Sequence, residues 1–388
     1  KLITVSKDGS YKLNMEYFDY ATGLTMTNKK FASLFGGPAR TSETELTQRE
    51  MDLAASVQMV IEDVFIELAK GIADDTGEKN LCLAGGVALN CVANGILLRE
   101  NIFDSVWIQP AAGDAGGALG AALSAWHLHH SNERHISSAR DSMHGAFLGP
   151  EFEDNDIEAA LNDFGAVYEK LSEHELIDEV AEALASEKAV GWMQGRMEFG
   201  PRALGGRSIL ADPRAPNMQR QLNLKVKYRE SFRPFAPSVL DKDVGEWFDL
   251  DVDSPYMLFV SGVKEDKRVA MTDDHETSFG IDKLNLSRSI VPAVTHVDYS
   301  ARIQTVHADT NPRYHAVISK FKEKTGCPIV VNTSFNVRGE PIVCTPADAF
   351  KCFMGTELDV LAIGNYLLRK EEQDTSVKKK YEERYELD

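Results

Sequence analysis

The feature that most constrains this chain is a unit that occurs twice within about 45 residues: a short apolar strand, a glycine turn and a helix. Leu81–Leu83 reads as a buried strand, Gly85-Gly86 follows it, and a helix runs on through about Leu98. Val106–Ile108 then reads as a second strand, and Gly113-Asp114-Ala115-Gly116-Gly117 leads into a helix of small residues. Strands that alternate with helices across glycine turns build α/β layers, so an α/β fold is expected.

A chain of 388 residues suits two domains rather than one core. Residues 2–16 alternate as a hairpin does, with Lys7-Asp8-Gly9 as the turn signal. Thr47 and Glu50 stand at capping-box spacing before a long helix, whose apolar stripe is Leu53, Val57, Val60, Ile61, Val64, Phe65 and Leu68. From His127 to about Pro150 the chain is polar and without period, which places a linker at 131–150 between domains at 1–130 and 151–388. Two amphipathic helices near 154–166 and 173–187 follow, then a strand over Ala189–Met193. Further short strands and helices continue the α/β pattern through Ala236–Leu240, Ile329–Val331, Ala347–Phe353 and Val360–Ile363.

Composition excludes several classes. With 60 acidic against 42 basic side chains the formal charge is −18, which repels nucleic-acid phosphates, so no nucleic-acid partner is expected. The basic run Lys378–Lys380 reads as part of a solvated tail helix. No run of about 18 apolar residues occurs, so no spanning helix and no membrane partner are expected. Five cysteines without a CxxC pair point to reduced thiols and a cytoplasmic setting. The chain opens at Lys1 on a strand pattern, and the expectation is that a natural N-terminus lies upstream.

Four blocks carry candidate chemistry. In Ala84–Asn90, glycines after a strand let backbone amides approach a phosphate or ribose; close helix packing is the alternative. In Ala112–Ala118, Asp114 suits a metal or a nucleotide's counter-ion, or caps the next helix. The third block, Gly195–Ser208, sets Arg196, Arg202 and Arg207 beside Glu198 in a loop whose glycines and proline forbid an ordinary helix. Lys225, Lys227, Arg229 and Arg233 follow, among apolar neighbours Phe199, Phe232 and Phe235 that imply partial burial. Buried cations need anions, Glu198 and Glu230 serve only some, and a bound phosphate suits the rest. The fourth block, Asn332–Pro341, offers hydroxyls and amides at a strand end. His296, before Asp298 and Arg302, reads as a core or turn histidine; His127, His129 and His130 lack the spacing of a standard metal site.

Together these blocks resemble the O-carbamoyltransferase family of the nodulation protein U and tobramycin carbamoyltransferase type. The resemblance runs from about residue 30 to 366, on Leu46-Thr47-Gln48-Arg49 with Asp52-Leu53-Ala54, Gly85–Asn90, Gly113–Gly117, Glu198–Arg214, Phe232–Pro237 and Asn332–Pro341. It implies part of an actin-like domain, similar to threonylcarbamoyladenosine synthases, followed by a YrdC-like α/β domain. It implies that carbamoyl phosphate and ATP, with Mg²⁺, give a carbamoyladenylate, whose carbamoyl group passes to a hydroxyl-bearing acceptor. Carried over residue by residue, Arg202, Lys227 and Arg233 fall on phosphate-binding, catalytic cations. Arg302, Ser334 and Asn336 fall on further contacts to carbamate and nucleotide, with Arg196 and Arg207 beside them. Gly85, Gly86 and Asn90 line the nucleoside side of transfer, and Asp114 falls on a ligand of an iron or similar divalent metal. The family's His-x-x-x-His ligands and a further Asp would lie before Lys1, so the metal is expected to be absent from this chain. The acceptor is not fixed: an antibiotic sugar, a Nod factor and a polysaccharide suit it equally, and a homodimer is compatible. Two alternatives stay open, tRNA threonylcarbamoyladenosine-type modification and a nucleotide-binding module without transfer.

Overall fold

The computed structural model describes residues 1–6, 8–41, 44–135, 141–231, 233–270 and 286–374. Lys7, Phe232 and the Lys378–Lys380 run lie outside the described residues. The chain separates into two compact units: Lys1–Leu83 with Val92–Trp107, and Ala84–Cys91 with the chain from Ile108 onward.

In the first unit, β1 (Ile3–Val5) and β2 (Tyr11–Leu13) form the expected antiparallel hairpin, with Ile3 opposite Leu13. The helix Gln48–Thr76 begins at Thr47, whose amide donates to Glu50 Oε2 at 3.0 Å, and ends at Gly77 in the left-handed region, φ 67°. Its burial departs from the expected stripe. Val57 and Val60 are exposed, while Ile66, Ala69 and Gly71 are buried. The reason is the hairpin: a Cβ at Gly71 would lie 2.2 Å from the Asp8 carbonyl oxygen, so closest packing falls where a side chain is missing. Among the described residues β3 (Asn80–Leu83) pairs only with β4 (Ser105–Ile108). Leu81–Leu83 is therefore not the buried strand that its apolarity suggests. Its residues alternate, Leu81 and Leu83 packing towards the core of Ile66, Ala69, Leu97 and Phe103, with Cys82 exposed.

The second unit is built on a mixed sheet of nine strands. These are β5 (Glu169–Lys170), β6 (Val190–Met193), β7 (Arg207–Ala211), β8 (Ala236–Leu240), β9 (Phe259–Gly262), β10 (Ser300–Val306), β11 (Ile329–Ser334), β12 (Val360–Ile363) and β13 (Tyr366–Arg369). They lie in the order β5-β13-β12-β6-β7-β11-β8-β10-β9, with β12–β6 and β10–β8 parallel and the other pairs antiparallel. β6, β7, β8 and β12 are buried at every residue, as strands covered on both faces must be. The helices Glu173–Ala185 and Pro312–Thr325 pack on each other and on the sheet, with Leu176, Val180 and Leu184 buried on the first and Val317, Ile318 and Phe321 on the second. The helix Pro346–Gly355, started by Pro346 and the Thr345–Asp348 capping box, packs on the helix Asp154–Asp163. No helix among the described residues is long and apolar enough to cross a membrane.

Candidate active site

The Gly195–Ser208 block is held open by its own acid. Glu198, 6% exposed, does not pair with an arginine; its Oε1 accepts the amides of Leu204 (2.7 Å), Gly206 (2.6 Å) and Arg207 (3.2 Å). One carboxylate thus replaces the backbone ladder that a helix would supply. The loop is then tied to the sheet. Trp192 Nε1 donates to the Gly205 carbonyl at 2.9 Å, Gln304 Nε2 to Leu204 O at 2.8 Å and Asn332 Nδ2 to Ala203 O at 3.1 Å. Gly205 sits at φ 103°, where a Cβ would meet the Tyr314 ring at 2.3 Å. Arg302 stands two residues before Gln304 on β10, so both side chains leave the same face of the strand, the face on which Ala203 and Leu204 lie.

That arrangement brings arginines together. Arg202 donates from Nη2 to the Leu89 carbonyl at 3.3 Å, its Nε is buried without a partner, and among the described residues it forms no ion pair. Burial, and then the neighbouring Arg202, push the Arg302 guanidinium down to about 10, while its hydrogen bond to the Cys91 thiol acts the other way. Burial and Arg233 push Arg229 down to about 10; Glu230 opposes and Arg302 adds to the shift. Arg229 donates from Nε to Asn223 Oδ1 at 2.7 Å and lies over the Phe235 ring. Glu230 pairs with Arg233 at 3.2 Å, and its carboxyl is held below the usual range by its own amide, then by Arg233, Arg338 and Arg229. Like charges held this close make a ready seat for a polyanion.

Beside this group stands Lys227, 4% exposed. Its Nζ donates to the Ser334 carbonyl, to Ser334 Oγ (3.1 Å), and to the carbonyl (2.9 Å) and Oδ1 (2.7 Å) of Asn336. Burial first, and Arg229 second, push this ammonium down to about 7. Lys227, Ser334 and Asn336, expected as site residues on two distant blocks, are therefore one cluster.

The first glycine block belongs to the same compact unit. The Gly85 amide donates to the Ala112 carbonyl at 2.8 Å, joining the two glycine blocks, with Gly85 at φ 96°. Gly86 starts a short 3-10 turn that ends at Asn90, and the residues either side of Asn90, Leu89 and Cys91, are those that touch Arg202 and Arg302.

Other expected members lie elsewhere. Arg207 is fully buried and donates to the carbonyls of Gln194, Gly195, Gly206 and Pro150. Arg196 pairs with Glu151 at 3.5 Å, and both arginines line a cleft of about 550 Å³ with Gln194 and Arg313. Lys225 pairs with Glu357 at 3.1 Å. Asp114 is exposed as the first residue of the helix Asp114–Ser124, whose cap is Gly113, so it is not itself the cap. Among the described residues no three His, Cys, Asp or Glu side chains stand together as metal ligands, and His127 Nδ1 contacts the Asn132 carbonyl. The described residues therefore assemble no ligand set that fits a resident iron. Arg229, Arg338 and Cys91 also belong to the arginine group; Arg229 stands in the cation run and Arg338 within the Asn332–Pro341 block, while nothing in the sequence marks Cys91.

Two family descriptions match the chain: the carbamoyltransferase N-terminus over residues 1–123 and the carbamoyltransferase C-terminus over 181–370. The chain belongs to the carbamoyltransferase family. Among its relatives, an uncharacterized protein of Synechocystis sp. is 58% identical over all of this chain and 63% of its own length. The nodulation protein NolNO of Sinorhizobium fredii is 43% identical over 84% of this chain and 45% of its own length. Nodulation protein U of Rhizobium fredii is 35% identical over 72% and 41% respectively. The chain spans less than two thirds of the length of each of these relatives.

Proposed function

We propose that the chain is the carbamoyl-activating part of an O-carbamoyltransferase, with a YrdC-like domain from about residue 151 and part of an actin-like transfer domain before it. The observation that carries this reading is the group formed by Arg202, Arg302, Arg229 and Arg233, in which each guanidinium bears on another and Glu230 is the paired acid. Such a group is complementary to carbamoyl phosphate together with the phosphates of ATP and their Mg²⁺.

In this reading Arg202 and Arg302 hold the phosphate of carbamoyl phosphate. Water adds to the carbonyl carbon, the carbon–oxygen bond to phosphate breaks, and carbamate and inorganic phosphate form. A carbamate oxygen then attacks the α-phosphorus of ATP, giving carbamoyladenylate and releasing pyrophosphate. Arg229, Arg233 and Lys227 neutralise charge on the phosphoryl oxygens, with Ser334 and Asn336 fixing Lys227; removing one such donor commonly costs on the order of 10²–10³ in rate. Carbamate decomposes in water, so making it beside ATP preserves it. The acceptor hydroxyl finally attacks the carbamoyl carbon and AMP leaves, on the side of Gly85, Gly86 and Asn90. Family membership supports carbamoyl transfer in general, and the relatives' names make a nodulation-type acceptor one candidate.

Calorimetry tests the reading. Carbamoyl phosphate and ATP with Mg²⁺ are each expected to bind the folded chain at millimolar concentration or below. Absence of heat with both ligands would remove the basis for it.

A further inference from the structure

The turn that leads into β10 carries a hydrogen-bond chain that the scheme above leaves unused. Its backbone is closed by the His296 amide, which donates to the Ser300 carbonyl at 2.8 Å, by the Tyr299 amide, which donates to the His296 carbonyl at 3.1 Å, and by the Ser300 amide, which donates to Asp298 Oδ1 at 3.1 Å. The side chains add a second layer. Ser300 Oγ donates its one hydrogen to Asp298 Oδ1 at 2.6 Å. In its 3.0 Å contact with His296 Nδ1, the hydroxyl must therefore accept, and the imidazole must donate. The proton of the neutral ring is thereby fixed on Nδ1 and the lone pair on Nε2. Among the described residues Nε2 has no partner.

The charged groups that bear on this ring are Asp298 on its own turn and Arg302 on β10. Burial is the largest influence and lowers the imidazole's pKa; Asp298 opposes it and Arg302 reinforces it, so the ring gives up its added proton more readily than a free imidazole. Arg302 is the residue that also feels Arg202, which sets His296 at the edge of the arginine group. By contrast, the buried His307 offers no free lone pair, since its nitrogens face Asp241, Asp253 and Thr305 Oγ1.

We propose that His296 is the general base that activates water for the cleavage of carbamoyl phosphate, an inference that rests on the assignment of that ligand to the arginine group. Nε2 takes one proton from water as the water oxygen bonds to the carbonyl carbon. The carbon–oxygen bond to phosphate breaks, its electron pair leaves with the phosphate, and the phosphate takes the remaining proton from the carbamic acid. Carbamate and hydrogen phosphate result, and the imidazolium returns its proton to solvent. Asp298, through Ser300, holds the ring and steadies its positive charge, a positioning role rather than a reacting one.

The test uses the whole chain with carbamoyl phosphate, ATP and Mg²⁺, and reads phosphate release against pH. His296→Asn keeps an N–H for Ser300 Oγ but removes the base. It is expected to lower kcat by about 10²–10³, within the range of general-base effects, with the dissociation constant of carbamoyl phosphate within about twofold of the parent. The parent's rate should fall about tenfold per pH unit below the imidazole pKa, and the variant should lack that limb. Asp298→Asn is the second variant. It removes the influence that raises the imidazole pKa, so the acid limb should move to lower pH; a limb that stays in place overturns the proposal, as does His296→Asn turnover within threefold of the parent. If the parent protein neither binds nor cleaves carbamoyl phosphate, the ligand assignment itself fails. If the parent cleaves it and both variants do so equally well, the assignment stands and the role of His296 does not.

Discussion

Replacing Arg202 by lysine separates a ligand-binding role from a structural one. In the free protein this guanidinium makes one long hydrogen bond, 3.3 Å to the Leu89 carbonyl, and leaves a buried Nε unpartnered. A typical hydrogen bond contributes about 0.5–1.5 kcal/mol, and this one is long; losing it is offset by removing the unpartnered Nε. The net change in stability should therefore stay within about 1 kcal/mol, or roughly 2–4 °C in Tm for a unit of this size. The salt bridge that would have made Arg202 structural is not formed among the described residues: Glu198 turns its Oε1 to three loop amides instead. Lysine cannot copy bidentate contact with a phosphate, so function should suffer where the fold does not. Carbamoyl-phosphate-dependent ATP–pyrophosphate exchange is expected to fall tenfold or more, which is about 1.4 kcal/mol per decade. Exchange and melting are to be measured on the same sample. Full exchange with a Tm lowered by more than about 5 °C would instead mark Arg202 as a structural arginine and remove it from the binding group.

Four further outcomes are expected. Glu198→Ala strands three buried amides at roughly 1–3 kcal/mol each, so Tm should drop on the order of 10 °C; a drop under about 2 °C would show that the loop finds other acceptors. Gly205→Ala should be about as damaging, since φ 103° and the Tyr314 ring both oppose a Cβ, and urea denaturation would show it as a lower midpoint with unchanged slope. Lys227 sits near pKa 7 in the free chain and should regain its proton when a polyanion binds. Affinity for ATP should then weaken between pH 7 and 9, by up to about tenfold per unit, with proton uptake visible in calorimetry in two buffers; a flat profile would count against contact with Lys227. Elemental analysis should find well under one iron per chain, because Asp114 stands without two further ligands among the described residues.

The fold was legible where local pattern and tertiary packing agree. The Thr47–Glu50 capping box, the β1–β2 hairpin and the paired helices of the second unit follow from capping, alternation and 3.6-residue periodicity. Burial in the first unit was not, because Gly71 admits the hairpin turn and shifts packing off the stripe of Val57 and Val60. In the site, sequence could collect cations but not sort them. Lys225 and Arg229 look alike in one run, yet one pairs with Glu357 on the surface and the other lies over Phe235 among arginines. Arg207 looked like a ligand cation because its acceptors are backbone carbonyls, which no side-chain pattern displays. The union of Lys227 with Ser334 and Asn336, 107 and 109 residues away, came from family resemblance and not from spacing. Cys91 read only as a thiol, since nothing local announces Arg302 as its neighbour.

If the arginine group joins carbamoyl phosphate to ATP, the chemistry must release pyrophosphate. The folded chain is to be incubated with ATP, Mg²⁺ and carbamoyl phosphate, singly and together, and pyrophosphate quantified. Pyrophosphate is expected only when both substrates are present, in step with the phosphate released from carbamoyl phosphate. Its absence from folded protein that binds both ligands, or its formation without carbamoyl phosphate, would mean that the arginine group does not carry this reaction.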